Sequence, residues 1–198
     1  MMLVEQTPIQ DLVLPLAQLK QYLRLASGFA DAADQDGLLL RHLRAAMAQI
    51  EARTGKILIR RDFNWTVTHW RDPVRQILPV TPVSAILHVT RITADGRETA
   101  ANADHWYLLQ DSQRPGLVAK AGLLPRIPPH GAIRIGLRAG FAPDWADLPA
   151  DLAEASLMLA AHHYDSRHDF SVGGYAVIPA AVLALVAPHR PLRLGARR

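Results

Sequence analysis

The side chains best suited to chemistry crowd one short stretch: His162, His163, Asp165, His168 and Asp169. Helical ligands of one metal ion must share a face, which requires i, i+3 or i, i+4 spacing. His162 with Asp165, and Asp165 with Asp169, meet that spacing; the adjacent histidines do not. No His-Glu-x-x-His pattern accompanies them. The reading favoured here is a helix end whose histidines suit the negative pole of the dipole. Nucleophilic chemistry finds no better support. Ser84, Ser112, Ser156 and Ser171 sit in no Gly-x-Ser-x-Gly elbow. No glycine-rich phosphate loop of either common type is present. With no cysteine, thiolate catalysis, disulfides and Cys-ligated zinc are excluded. Asp31, Asp34 and Asp36 precede a helical pattern, where capping explains them. The expectation is a non-enzyme with no cofactor and no metal.

The cationic charge is nearly all arginine, because lysine occurs only at positions 20, 56 and 120, and the formal net charge is +4. Arginine suits bidentate pairing with carboxylates or phosphates, although a GC-rich codon bias would give the same excess. Arg60, Arg61, Arg71, Arg75, Arg134 and Arg138 could line a nucleic-acid groove, with Trp65, Trp70 and Trp106 as stacking surfaces. Against this, Trp65 falls on the apolar side of a strand alternation, and no helix carries a basic recognition face.

These residues need a scaffold, and the 198-residue chain, 49% hydrophobic, can bury a core. It has no apolar run long enough for a membrane span and no charged segment leading into an apolar signal core. A first helix is predicted from Pro15 to about Leu25, with Leu16, Leu19, Tyr22 and Leu23 on one face. An acidic loop, Asp31 to Gly37, offers Asp34 or Asp36 as the cap of a second helix, Leu38 to Arg53. There Leu39, Leu43, Ala46, Met47 and Ile50 form the apolar stripe and Gly55 the stop. The period then becomes two. Phe63, Trp65 and Val67 alternate with polar residues, Val83 to Thr93 is a second strand closed by the Asp95-Gly96 turn, and Trp106 to Leu109 is a short third. Ile133, Ile135 and Leu137 alternate with Arg134, Gly136 and Arg138, a strand with a basic outer face. Phe63, Trp65 and Val67 are expected to be buried with Ile133, Ile135 and Leu137. Gly116 to Pro129 is predicted as loop. The strands lack intervening helices, so antiparallel pairing is expected.

Past Leu148-Pro149, a helix marked by Leu152, Ala155, Leu159 and His163 runs to the glycine break at 173–174. Pro179 opens a second, Ala180 to Val186, and Pro188 closes it. The remaining segment, His189-Arg190-Pro191-Leu192-Arg193-Leu194-Gly195-Ala196-Arg197-Arg198, has four arginines and no acid. Leu192 and Leu194 alternate with Arg193, a pattern that can join a sheet edge or lie in a groove of a partner. The fold class expected is α+β: a small helical bundle from the N- and C-terminal helices (1–56 and 148–187), an inserted antiparallel β-sheet region (57–141) and an extended basic tail (188–198).

The order and spacing of several short motifs resemble the head–tail connector (adaptor) proteins of long-tailed phages and gene transfer agents. They are Leu19 to Arg24, Asp34 to Leu40, Ile50 to Lys56, Pro79-Val80-Thr81-Pro82-Val83, Leu148-Pro149, His163-Tyr164, Arg167, Ile178-Pro179, and Leu185 through Arg190. The resemblance spans nearly the whole chain and contains no catalytic signature. It implies a structural subunit at the head–tail junction, made in the bacterial cytoplasm. It implies a ring of copies, commonly a dodecamer, beneath the portal protein, joined to a downstream tail or stopper component. Double-stranded DNA would pass through that ring without specific readout, and no membrane is involved. The tail residues His189, Arg190, Leu192, Arg193, Leu194, Arg197 and Arg198 would meet portal carboxylates. The alternative is a DNA-binding accessory protein of the same packaging or transfer machinery.

Overall fold

The computed structural model describes residues 2–25, 33–166 and 177–191. The fold is α+β, with four α-helices and two antiparallel sheets among those residues. The chain divides into two compact units: residues 9–58 with 144–198, which carry the helices, and residues 1–8 with 59–143, which carry the strands.

In the helical unit, α1 covers Leu16–Tyr22 and α2 covers Ala33–Thr54. The helix α3 covers Ala150–Asp165 and α4 covers Ala180–Val186, followed by a 3-10 turn at Ala187–His189. The predicted stripe of α2 is its buried face: Leu39, Leu43, Ala46, Met47 and Ile50 are all at most 1% exposed. Its stop is Gly55, whose φ of +65° suits glycine and whose N–H donates to the Glu51 carbonyl at 2.8 Å. The start differs from expectation. Helical backbone already runs from Ala33, so Asp36 is no cap; it lies within the helix and pairs with Lys20 at 2.6 Å.

The centre of this unit is α3, which touches α1, α2 and α4. Leu152, Ala155, Leu157, Leu159, Ala160, Ala161 and His163 are buried, a set that wraps around the helix, as expected of one enclosed by neighbours. Its alanines let those neighbours come close. Before it, the 3-10 turn Trp145–Asp147 plants Trp145 in the core, 8% exposed, with its indole N–H donating to Gln18 Oε1 at 3.0 Å.

In the β unit, a five-stranded sheet has the order β1 (Met2–Glu5), β2 (Arg61–Val67), β8 (Ala132–Ala139), β4 (Val83–Ile92), β5 (Glu98–Ala100). A three-stranded sheet has the order β3 (Arg75–Ile77), β7 (Gly116–Ala119), β6 (Trp106–Leu109). Across β2 and β8, Phe63 faces Leu137, Trp65 faces Ile135 and Val67 faces Ile133. All six are buried, as their alternation predicts. The β4–β5 hairpin turns at Gly96, φ +83°, with the Gly96 N–H on the Thr93 carbonyl at 2.9 Å. Four strands escape the sequence pattern, the three-residue Glu98–Ala100 among them. Met2–Glu5 pairs with β2 over four residues. Arg75–Ile77 is too short to show a period. Gly116–Ala119 lies inside the stretch predicted as loop, because Pro115, Gly116 and the prolines beyond it mask a four-residue strand.

Candidate functional site

The expected partner-binding residues divide into two groups. His189 and Arg190 are described; Leu192, Arg193, Leu194, Arg197 and Arg198 lie outside the described residues. His189 is not part of an extended segment. The 3-10 turn after α4 brings its Nε2 to 2.5 Å from Asp151 Oδ2, in the first turn of α3. Arg190 is exposed, and its N–H donates to the Ala187 carbonyl at 3.2 Å. The chain therefore folds back on α3 before its basic end begins.

The described part of the histidine stretch packs against α2. His163 is 1% exposed and His42, on α2, is 8% exposed, with ring centroids 6.2 Å apart. Tyr164 meets His42 edge-on and His162 lies beside His163. No group of three or more His, Cys, Asp or Glu able to hold a metal ion is found among the described residues; His168 and Asp169 lie outside them. Burial pushes the His163 imidazole below its ordinary value of 6.5, and the neighbouring His42 and His162 push it the same way, against a hydrogen bond with the His42 main chain. A depressed folded value means the unfolded chain takes up the proton first. The stabilisation is thus complete above about pH 6.5, the unfolded value, and is lost as pH falls through the lower folded value. Unfolding of the helical unit, followed by helix signal in urea between pH 5 and 8, is expected to need less denaturant on the acid side. His163→Gln is expected to flatten that slope.

The arginines of the β unit do not form one groove. On the outer face, Arg138 stands opposite Asp62 and holds it with two bonds, Nε to Oδ1 at 2.7 Å and Nη2 to Oδ2 at 3.0 Å. The Arg138 bond holds the Asp62 carboxyl below the usual carboxylate range. Arg134 pairs with Glu98 at 2.7 Å, so the face expected to be openly basic is neutralised across the strands. Arg61 pairs with Glu5 at 2.9 Å and lies over the Phe63 ring, 5.3 Å from its centroid. Trp65, 3% exposed, offers no stacking face to solvent, and the Trp70 indole N–H is committed to the Pro125 carbonyl at 2.9 Å.

A cleft of 810 Å³ opens in this unit. Leu3, Trp65, Leu78 and Pro79 supply its apolar lining, and Arg71, Arg75 and Arg114 its charge. Sequence reasoning placed Arg71 and Arg75 in a basic groove but missed Arg114, which reaches the cleft only because the turn 111–114 folds beside β3. Two aspartates, Asp72 and Asp111, build these walls. The Asp72 Oδ1 accepts the N–H groups of Val74 and Arg75, at 2.8 and 3.2 Å, and the Asp111 Oδ1 accepts those of Gln113 and Arg114, both at 2.7 Å.

No family model and no curated protein matches the chain. Solved structures do. The chain is similar to a chain in the neck of an empty gene transfer agent particle, determined with sixfold symmetry. It is 41% identical to that chain, covers 100% of both, and superposes with a TM-score of 0.90. A chain of the native gene transfer agent virion matches at 41% identity and a TM-score of 0.87, over 100% of this chain and 99% of that one. A chain from the neck of the native particle, determined with twelvefold symmetry, matches at 39% identity and 0.84, over 100% of both.

Proposed function

The chain belongs to the family of gene transfer agent neck proteins, and from that premise we propose that it is the adaptor subunit of such a neck. In this reading it forms a ring beneath the portal that extends the DNA channel and joins the tail. The observation that carries the proposal is full-length similarity, at 41% identity, to a neck chain of a particle. Its relatives come from necks with sixfold and twelvefold symmetry, which supports a ring of copies here. The arginine pairing on the outer sheet face suits a passage that does not grip DNA: Arg134 and Arg138 already hold Glu98 and Asp62, leaving fewer cations for phosphates. This favours the adaptor reading over a DNA-binding accessory protein. The helical unit, with residues 188–198, is the proposed portal-binding part, and Arg190, Arg193, Arg197 and Arg198 the proposed partners of portal carboxylates.

Particle images from a strain lacking this chain test the role: filled heads without tails are expected, and fully joined particles would overturn it. Removal of residues 192–198 tests the tail. That truncation keeps the His189–Asp151 contact, so an unchanged melting transition is expected together with loss of retention on purified portal. Full retention would assign the attachment to the helices instead.

A further inference from the structure

Resting on the ring reading, we propose that the Arg71–Arg75–Arg114 cleft of one copy receives the acidic segment 144–154 of the next copy. The cleft has cations to offer. No carboxylate lies within ion-pair distance of its three arginines among the described residues, and the two aspartates in its walls are engaged by backbone N–H groups. Arg75 Nε is buried without a hydrogen-bond partner. That side chain is held in place over Gly116, where a Cβ would lie 3.3 Å from Nε. Arg75 Nη2 donates to the Arg114 carbonyl at 3.2 Å, yet none of the three guanidinium groups has a carboxylate partner among the described residues, and such groups beside an apolar lining call for an anionic occupant with some apolar surface.

The segment 144–154 has that chemistry. It contains Asp144, Asp147, Asp151 and Glu154 and no lysine or arginine. Asp151 is held by His189, but Asp144, Asp147 and Glu154 are exposed and carry no ion pair among the described residues. Trp145 and Leu148 are buried between them, so the acids are presented by an anchored turn at low entropic cost. A closed ring requires a heterologous interface, with both complementary patches on every subunit. The arginine-rich end of the chain does not qualify as the occupant, because its charge has the same sign as the cleft.

Charge reversal with rescue tests the proposal in assembled particles. Arg71→Glu with Arg114→Glu, and separately Asp144→Arg with Asp147→Arg, are each expected to lower the copies of this chain per purified particle by about tenfold or more. Interfacial charge pairs of this kind couple strongly enough for that effect. Carrying all four changes together is expected to restore the copies. Arg71→Gln with Arg114→Gln, which adds no opposing charge, is expected to give a smaller loss, and melting curves confirm folding of each variant. Unchanged copy numbers in the single-face variants, or no rescue in the combined one, would overturn the docking. Loss in the cleft variant alone would assign the acidic occupant to another neck protein. Binding of the full chain to duplex DNA at 0.15 M salt that vanishes in the cleft variant would assign the cleft to nucleic acid. Both results overturn the second-copy reading. Particles imaged without any ring of the wild-type chain would instead refute the ring itself.

Discussion

Gly140→Ala is expected to destabilise the β unit by about 2–6 kcal/mol, the sum of a backbone cost and a steric one. Gly140 follows β8 with φ at +140°, a conformation that side-chain-bearing residues rarely adopt. A Cβ there would lie 2.3 Å from Arg60 Cα and 2.5 Å from Arg60 N. Those are backbone atoms, so no rotamer change relieves the clash. The position is pinned from both sides. The Gly140 N–H donates to the Pro82 carbonyl at 2.9 Å, and the Arg60 N–H donates to the Ala142 carbonyl at 2.8 Å. Tryptophan fluorescence in a guanidinium titration reads the outcome. A midpoint equal to that of the parent would show that the strand entries at 60 and 140 can move apart freely.

Trp65→Ala is expected to cost about 3–5 kcal/mol, the range for truncating a buried aromatic. The ring is 3% exposed and sits at the crossing of three strands, with Leu3 of β1 on one side and Ile135 of β8 on the other. It also lines the arginine cleft. The same substitution is therefore expected to widen the cleft as it weakens the core. Trp65→Phe, which keeps most of the apolar area, is expected to lose clearly less. Urea unfolding of both variants decides the matter. An alanine variant as stable as the parent would mean that the indole works at a surface.

The helices were legible because their signals are local. Leu39, Leu43 and Met47 recur within a single segment, and Gly55 ends it. The β2 and β8 alternations were legible for the same reason. What escaped depends on register. Arg134 and Arg138 look like a basic face in isolation, yet Glu98 and Asp62, 36 and 76 residues away, neutralise them. No pattern within β8 announces those partners. Met2–Glu5 shows no alternation of burial, since all four residues are exposed, and it becomes a strand only through β2. The cleft arginines come from loops and a three-residue strand, where residue type says little about direction. Pro188 marks the end of α4 in the sequence, but the return of His189 to Asp151 is a tertiary contact that a tail composition conceals.

The first strand of the β unit is separated from its partner by the whole first half of the helical unit, since residues 9–58 intervene before β2. On the ribosome, Met2–Glu5 must therefore emerge and remain unpaired until residue 67 has cleared the exit tunnel. The central strand β8 arrives later still, after more than sixty further residues. Such long-range closure slows folding, and an apolar strand left waiting is a hazard to a crowded nascent chain. The same separation makes the unit divisible. A fragment covering 59–143 exposes the β2 edge, and a peptide covering residues 1–8 is its natural complement. Added in trans, that peptide would report by its binding when the rest of the sheet has formed.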